Sequence, residues 1–354
     1  MRTVFFRLAL ASCLLTALPV VISAAAAAEP TRVPPEARWT AISSEVEARI
    51  ESLLETSLSD AGKVSSRIDE LRVDPGLSPA ERDAVLYGYL QRLRRLPPGT
   101  LPSFILDRLS AMPPLAVTGH EEGPHHPVPL FNVAAAARGL ANEWDWREGF
   151  EQVTRSADTA ALAGALATAP ADGARYRGMV AALEQLPRYR LDELALQCAS
   201  TPIGCGPGRV EIELARGNVG WLETWIASAQ APELAAQLPG LRRQLAREAA
   251  DALMLVAMQH PDKSIAALAM SDLTDHLPKS PQIRREWGAH LVGLLDDPAL
   301  GGAAALQLAR MDNEDWLQAA ASRPLGETGR RRLELLAELE SALESGRPDP
   351  EDAP

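Results

Sequence analysis

The sequence predicts an all-α protein built from antiparallel helical hairpins. Apolar residues recur every three or four positions, as in Val46, Ile50 and Leu53, which is the period of one helix face. Runs of alternating β-branched residues, the usual pattern of strands, are almost absent. Short loops separate the predicted helices, and short loops make sequential helices antiparallel neighbours.

The first 28 residues have the pattern of an export signal. Arg2 and Arg7 form a basic start, the residues from Leu8 to Ile22 are apolar, and the small residues from Ala24 to Ala28 form a cleavage region. The pattern predicts a signal peptide that is cleaved near Ala28.

A second processing signal overlaps the first. The letters LASC, which end at Cys13, resemble the box at which bacterial lipoproteins are cleaved and lipidated. Cleavage there would leave an apolar run on the mature chain and Arg7 inside a very short leader. We therefore favour cleavage near Ala28 over lipidation at Cys13.

Composition indicates where the protein works and which partners it avoids. The chain has 47 acidic against 35 basic residues, and a formal net charge of -12. This charge repels phosphate backbones and anionic lipid surfaces, so we expect no nucleic-acid partner. Arginine greatly outnumbers lysine and alanine is abundant, as in GC-rich bacterial genomes. Beyond the signal no segment is long and apolar enough to predict a transmembrane span, so we expect a periplasmic or secreted protein.

Three dipeptides mark predicted helix starts. Ser78-Pro79, followed by Glu81, forms a capping box with proline in the first helical turn. Ser280-Pro281 and Asp297-Pro298 repeat the cap and the proline.

One segment interrupts the helical pattern. Residues 113–129 contain five prolines and two glycines, so we predict a linker loop there. It separates an N-terminal helical region, 36–112, from a helical-repeat region, 130–344. The tail 345–354 has no core-forming residues, and we predict that it is disordered.

Two stretches of the larger region resemble known repeats. The run LLDDPALGGAAALQLARM, from Leu294 to Met311, resembles a HEAT-like repeat, with a helix, an Asp-Pro turn and an alanine-rich helix. The run GNVGWLETWIASA, with Trp221 and Trp225 one turn apart, is similar to part of a tetratricopeptide hairpin. The resemblance implies an irregular α-solenoid with a concave surface that could hold a partner, and it implies no enzymatic activity.

The strongest local signal is the stretch CASTPIGC, from Cys198 to Cys205. With Cys13 removed in the signal, these are the two remaining cysteines, and an oxidising compartment favours their pairing. Pro202 and Gly204 allow a tight turn between them. We predict a structural disulfide that joins the end of one helix to the start of the next, because redox motifs space their cysteines by two residues rather than six.

The stretch GHEEGPHH suggests a metal site. His120, Glu121, His125 and His126 are suitable ligands for zinc, copper or nickel. The zinc-protease motif H-E-x-x-H, however, needs its second histidine where this chain has Pro124, which also excludes the helix. We favour a solvated linker, with a loose metal site or a pH-responsive histidine pair as alternatives.

Trp144 and Trp146 are candidates for a binding surface. Two positions on a helix are about 200° apart, so both rings cannot enter one core. One ring could lie on a groove wall and anchor a partner, although we favour the interpretation that neighbouring helices cover both.

The sequence contains no G-x-S-x-G elbow, no S-x-x-K and no P-loop. We therefore expect a binding or scaffold protein of the bacterial envelope, without a cofactor, whose partner is another envelope protein or a peptide. One alternative is a periplasmic enzyme that acts on carbohydrate or peptidoglycan through a pair of carboxylates. Another is metal handling by the loop 119–126.

Overall fold

The structure is a computed structural model. It describes residues 30–33, 43–120, 123–200, 204–273, 276–312 and 315–345. The predicted signal peptide with Cys13 and Ala28, and the tail from residue 346 onward, lie outside the described residues. Within the described residues no helix is long and apolar enough to cross a membrane.

The described chain consists mainly of α-helices, which confirms the predicted fold class. The described residues form two compact units, one of those up to residue 95 with 100–138, and one of 96–99 with those from residue 139 onward. The division falls inside the long helix Val133–Arg155. The domain bounds given by the sequence pattern, 36–112 and 130–344, remain a prediction.

In the described residues four α-helices, one 3-10 helix (Ala61–Lys63) and three strands precede that long helix. The strands and α-helices are β1 (Thr31–Arg32), α1 (Ser44–Ser59), α2 (Val64–Arg72), α3 (Pro79–Leu93), α4 (Ser103–Ser110), β2 (Ala116–His120) and β3 (Gly123–Pro129). The remaining helices are α5 (Val133–Arg155), α6 (Thr159–Thr168), α7 (Ala174–Leu183), α8 (Arg188–Ser200), α9 (Gly208–Ala215), α10 (Val219–Ile226), α11 (Ala231–Gln244), α12 (Arg247–Met258), α13 (Lys263–Leu273), α14 (Pro281–Leu294), α15 (Gly301–Leu308), α16 (Leu317–Ser322) and α17 (Glu327–Ser345).

In the first unit α1, α2 and α3 pack on one another. The helical spacing of Val46, Ile50 and Leu53 places all three in the core. Tyr89 of α3 is also buried, and its hydroxyl lies 2.6 Å from the hydroxyl of Ser57, which satisfies both polar groups.

The loop predicted for residues 113–129 is wrong in its secondary structure. Strands β2 and β3 pair antiparallel, with Val117 opposite Pro129, and β1 pairs parallel with the other edge of β2. β3 is therefore an edge strand, where proline costs little because its missing N–H would face away from the ladder. The carboxylate of Asp83 accepts hydrogen bonds from the N–H groups of Leu115 (2.7 Å) and Ala116 (3.1 Å), so α3 holds the start of β2.

Two of the three predicted helix starts are confirmed. Ser78 and Glu81 form the capping box of α3, and Ser280 caps α14 with proline in the first turn. At Asp297 the prediction is three residues early, because the side chain instead accepts hydrogen bonds from Ala299 and Leu300 in the turn that leads into α15.

The helices of the second unit pack in an alternating order. The even-numbered helices α10, α12, α14 and α16 contact one another in series, and so do the odd-numbered helices from α7 to α17. Sequential pairs such as α12 with α13 and α14 with α15 join the two series. One apolar core runs between the series from α9 to α17, and Trp287 and Trp316 are buried in it.

Cys198 and Cys205 lie at disulfide distance, with their Cα atoms 5.1 Å apart. Cys198 belongs to the last turn of α8, and Cys205 precedes α9, as the spacing of the two cysteines predicted. Both residues are buried. A positive φ at Gly204 and at Gly206 gives the chain the sharp turn that this closure requires.

We expect the double variant Cys198→Ser, Cys205→Ser to lose about 2 kcal/mol of unfolding free energy, because a short closed loop restricts the unfolded chain by about that amount. Urea titration of the variant and of the native protein measures the loss. Adding a reductant should lower the stability of the native protein to that of the variant and leave the variant unchanged. Native protein that is insensitive to reductant would contradict the prediction.

Candidate functional site

The side chains predicted to bind metal lie outside the described residues. The backbones of β2 and β3 carry His120, His125 and His126, but the structure describes none of these side chains, and Glu121 lies outside the described residues. Among the side chains that are described, no group of three or more histidine, cysteine, aspartate or glutamate residues is placed to hold a metal ion. Zinc, copper or nickel binding at this hairpin remains a prediction.

The structure separates Trp144 from Trp146, although both lie on α5. Trp144 is buried, whereas Trp146 is 37 % exposed and stacks on Phe150 with ring centroids 5.2 Å apart. The favoured interpretation, that neighbouring helices cover both rings, therefore holds only for Trp144. The exposed ring packs one face on Phe150 of its own helix, and the rest of the ring is open to a partner.

A pocket of about 500 Å³ opens where α7, α9 and α11 meet. We call it the α7–α9–α11 pocket. Its lining consists of Ala171, Tyr176, Arg177, Val180, Ala181, Glu184, Glu211, Ala236, Gln237, Pro239, Gly240 and Arg243. The volume lies within the range of small-ligand sites, about 300–1,000 Å³.

Two polar side chains at this pocket are withdrawn from solvent. Tyr176 of α7 is 4 % exposed, and Glu211 of α9 is 9 % exposed. The buried hydroxyl of Tyr176 has no hydrogen-bond partner among the described residues. A buried polar group without a partner costs roughly 1–3 kcal/mol, so this hydroxyl marks a place where a bound group can restore a hydrogen bond.

Glu211 is only partly satisfied by the protein. The amide of Gln237 on α11 donates a hydrogen bond to its Oε1 atom, at 3.1 Å. Burial raises the pKa of the Glu211 carboxyl, and the negative charge of Glu184 raises it further, whereas the Gln237 hydrogen bond and Arg243 lower it. The pKa of Tyr176 is also raised, first by burial and then by the charge of Glu211.

Glu213, two residues further along α9, has a different environment. It is fully buried, but it accepts hydrogen bonds from Arg216 (2.6 Å) and Asn218 (2.9 Å) and also forms an ion pair with Arg209. Arginine partners therefore neutralise Glu213 within the fold. Glu211 has an amide where Glu213 has arginines, which leaves Glu211 available to a ligand.

Exposed charges surround the mouth of the pocket. Arg243 donates to Glu184 through Nε at 3.3 Å and Nη2 at 3.1 Å, and Gln244 donates to the same carboxylate at 3.0 Å. Arg177 is exposed on α7. The charges at the mouth thus remain hydrated, while the carboxyl and the hydroxyl below them are shielded from water.

Two residues of α11 shape the wall of the pocket through the helix backbone. Gly240 packs on Leu214, whose Cδ1 atom would lie 3.3 Å from a β-carbon at position 240. Pro239 inside α11 has no N–H, so one hydrogen bond of the helix is missing beside the pocket. Gly240 thus allows α11 to approach Leu214 of α9 closely.

Comparisons of the chain with protein-family models, with curated proteins and with solved structures give no match. The function must therefore be argued from the site itself.

Proposed function

We propose that the protein is an exported helical-repeat binding protein of the bacterial envelope, and that the α7–α9–α11 pocket receives part of a partner protein or peptide. The observation that carries the proposal is the buried, unpartnered hydroxyl of Tyr176 beside the half-satisfied carboxyl of Glu211. Two polar groups left without full hydrogen bonding at an open pocket do not stabilise the fold. A ligand that completes their hydrogen bonds would be stabilised by them.

The order of helix contacts in the second unit supports a repeat protein. Helices that alternate between two series and pack on their neighbours along the chain are typical of α-solenoids, which present extended surfaces to partners. The resemblance of Leu294–Met311 to a HEAT-like repeat and of Gly217–Ala229 to a tetratricopeptide hairpin agrees with this proposal. The predicted export signal favours a partner in the periplasm or outside the cell.

We expect a photo-reactive amino acid at Ala236 to crosslink one discrete envelope protein in cells, and the same amino acid at Ala235 to crosslink none. Both alanines are exposed on α11, but only Ala236 lines the pocket. The captured protein should then bind the purified chain, and Ala236→Trp, which fills the pocket, should weaken that binding. Equal crosslinking from both positions, or from neither, would contradict the proposed function.

A second candidate function is hydrolysis by the carboxyl groups of Glu211 and Glu184. Both line the pocket, and the raised pKa of Glu211 suits a general acid. The ion pair of Glu184 with Arg243 favours binding over catalysis. Sugar release from peptidoglycan or a polysaccharide that Glu211→Gln abolishes would support the enzyme.

A further inference from the structure

We infer that the α7–α9–α11 pocket recognises a primary alkylammonium group, as found on a lysine side chain or at the amino terminus of a peptide. The inference rests on the proposed function and deepens it, because it names the chemical group of the partner that enters the pocket.

The carboxylate of Glu211 and the hydroxyl oxygen of Tyr176 can both accept a hydrogen bond at the base of the pocket. Gln237 donates to the Oε1 atom of Glu211, and none of the described residues donates to its Oε2 atom. The hydroxyl oxygen of Tyr176 also has no hydrogen-bond partner among the described residues. An ammonium group carries three donors and no acceptor. One ammonium between these two oxygens would donate a hydrogen bond to each of them, and its hydrogen bond to the carboxylate would be charge-assisted.

The walls above the base suit a short aliphatic chain. Val180 and Ala181 of α7 face the pocket from one side, and Ala236 and Pro239 of α11 from the other. These small apolar side chains can contact the methylene groups of a lysine side chain without competing for its charge.

The mouth can hold the polar remainder of the same ligand. Arg177 and Arg243 are exposed there and can donate to peptide carbonyls or to a carboxylate. Glu184 already neutralises Arg243, so this arginine does not exclude a cation. An anion, by contrast, would meet the carboxyl of Glu211 at the base.

Binding should depend on pH through Glu211. The charged and titratable groups around it are Tyr176 and Glu184 from the α7 side, and Arg243 from α11. Because burial raises the pKa of Glu211 above its ordinary 4.5, part of this carboxyl is protonated in the empty pocket just above that pH, and an ammonium must displace the proton. A lysine ammonium, with a pKa of about 10, stays charged over this range, whereas a peptide α-ammonium, with a pKa of about 8, loses its charge above that pH. Affinity should therefore increase as the pH rises above about 4.5 and level off once Glu211 is ionised even without the ligand, and for an α-amine it should fall again above about pH 8.

The raised pKa of Glu211 also predicts the direction in which Glu211→Gln changes the stability of the empty protein. A raised carboxyl pKa means that the folded state favours the protonated form, so this contribution to stability is present at acid pH and is lost as the pH rises. Glu211→Gln removes the ionisable group. The empty variant should thus be at least as stable as the native chain at pH 7.5, and a loss of binding cannot be attributed to unfolding.

Calorimetry with two matched pairs of probes tests the inference. Nα-acetyl-lysine N-methylamide and its Nε-acetylated form test the side-chain amine, and trialanine amide and its N-acetylated form test the terminal amine. We expect at least one free amine to bind the mature chain at pH 7.5, and its acetylated counterpart to bind about tenfold more weakly or not at all. The pair that responds identifies the source of the amine.

Variants connect the binding to the base of the pocket. Glu211→Gln should weaken the amine about tenfold or more and abolish the pH dependence, and Tyr176→Phe should weaken it several-fold. Glu334→Gln on the exposed face of α17 makes the same change in net charge and should leave the affinity unchanged.

Equal binding of free and acetylated probes, or no binding of any amine at millimolar concentration, would overturn the inference. If crosslinking from Ala236 still captures a partner in that case, the proposed function survives and only the ammonium assignment fails. If that crosslink is also absent, both fail.

Discussion

Replacing Arg242 by methionine is expected to lower the free energy of unfolding by about 3–5 kcal/mol, because two carboxylates in the interior of the second unit lose their shared cation. Arg242 of α11 donates to Asp272 of α13 at 2.8 Å through Nε and also bonds Asp251 of α12. Its side chain is only 12 % exposed, and that of Asp251 is 1 % exposed. The three residues thus join three successive helices.

The loss arises from the buried carboxylates that the variant leaves without a cation. Chemical denaturation of the native protein and of the variant at pH 7.5 measures it. Adding Asp251→Asn to the variant should recover part of the loss.

Arg243→Met is the matched control, since it changes the adjacent residue in the same way. Arg243 pairs with Glu184 on the surface, and such pairs contribute about 0–1 kcal/mol. A loss at Arg242 no larger than that at Arg243 would contradict the view that the buried triad holds α11, α12 and α13 together.

Replacing Gly178 by alanine is expected to cost about 3 kcal/mol, which is near the upper end for overpacked interiors. A β-carbon at position 178 of α7 would overlap the carbonyl oxygen of Trp146 on α5, and one at Gly149 of α5 would overlap the carbonyl oxygen of Arg175 on α7. Backbone lies on both sides of this contact, so no side chain can move away to relieve it. Thermal and urea unfolding of Gly178→Ala measure the cost.

Gly164→Ala provides the control on α6. No atom lies within 4 Å of a β-carbon there, and alanine favours a helix over glycine by about 1 kcal/mol. This variant should therefore be as stable as the native protein or more so. Equal destabilisation at positions 164 and 178 would show that the close approach of α5 and α7 is not the cause.

Local signals account for what the sequence could predict of the fold. Ser78 and Glu81 lie within one turn of the helix that they begin, and Cys198 and Cys205 lie close together in the chain. In each case the partners are near neighbours in sequence, so pattern and spacing suffice. The apolar period of α1 likewise placed Val46 and Ile50 in the core.

The sequence pattern does not reveal the strands β2 and β3, because the residues that stabilise them are distant in the sequence. The strand β2 depends on Asp83, more than thirty residues earlier, and β3 tolerates its prolines only because it lies at the edge of the sheet. A proline-rich segment viewed alone cannot reveal either fact, so its sequence predicts a loop.

The candidate site was missed for a similar reason. Tyr176, Glu211 and Gln237 come from three helices, and their spacing has no motif. One signal is present in α9: Val210, Ile212 and Leu214 alternate with Glu211 and Glu213, which on a helix places Val210 and Leu214 on one side and Ile212 on the opposite side. A helix with apolar residues on opposite sides packs against neighbours on both, which favours burial of the two glutamates between them.

The alternating order of helix contacts also bears on how the second unit folds. Its principal contacts join helices that are at most three places apart in the chain, so little loop entropy is lost before each contact forms. Low contact order favours fast folding, and assembly can proceed by adding one helix to the growing end of the stack. Among the described helices, α16 and α17 are contacted mainly by helices that precede them, so the same arrangement predicts that they open before the helices between α9 and α15.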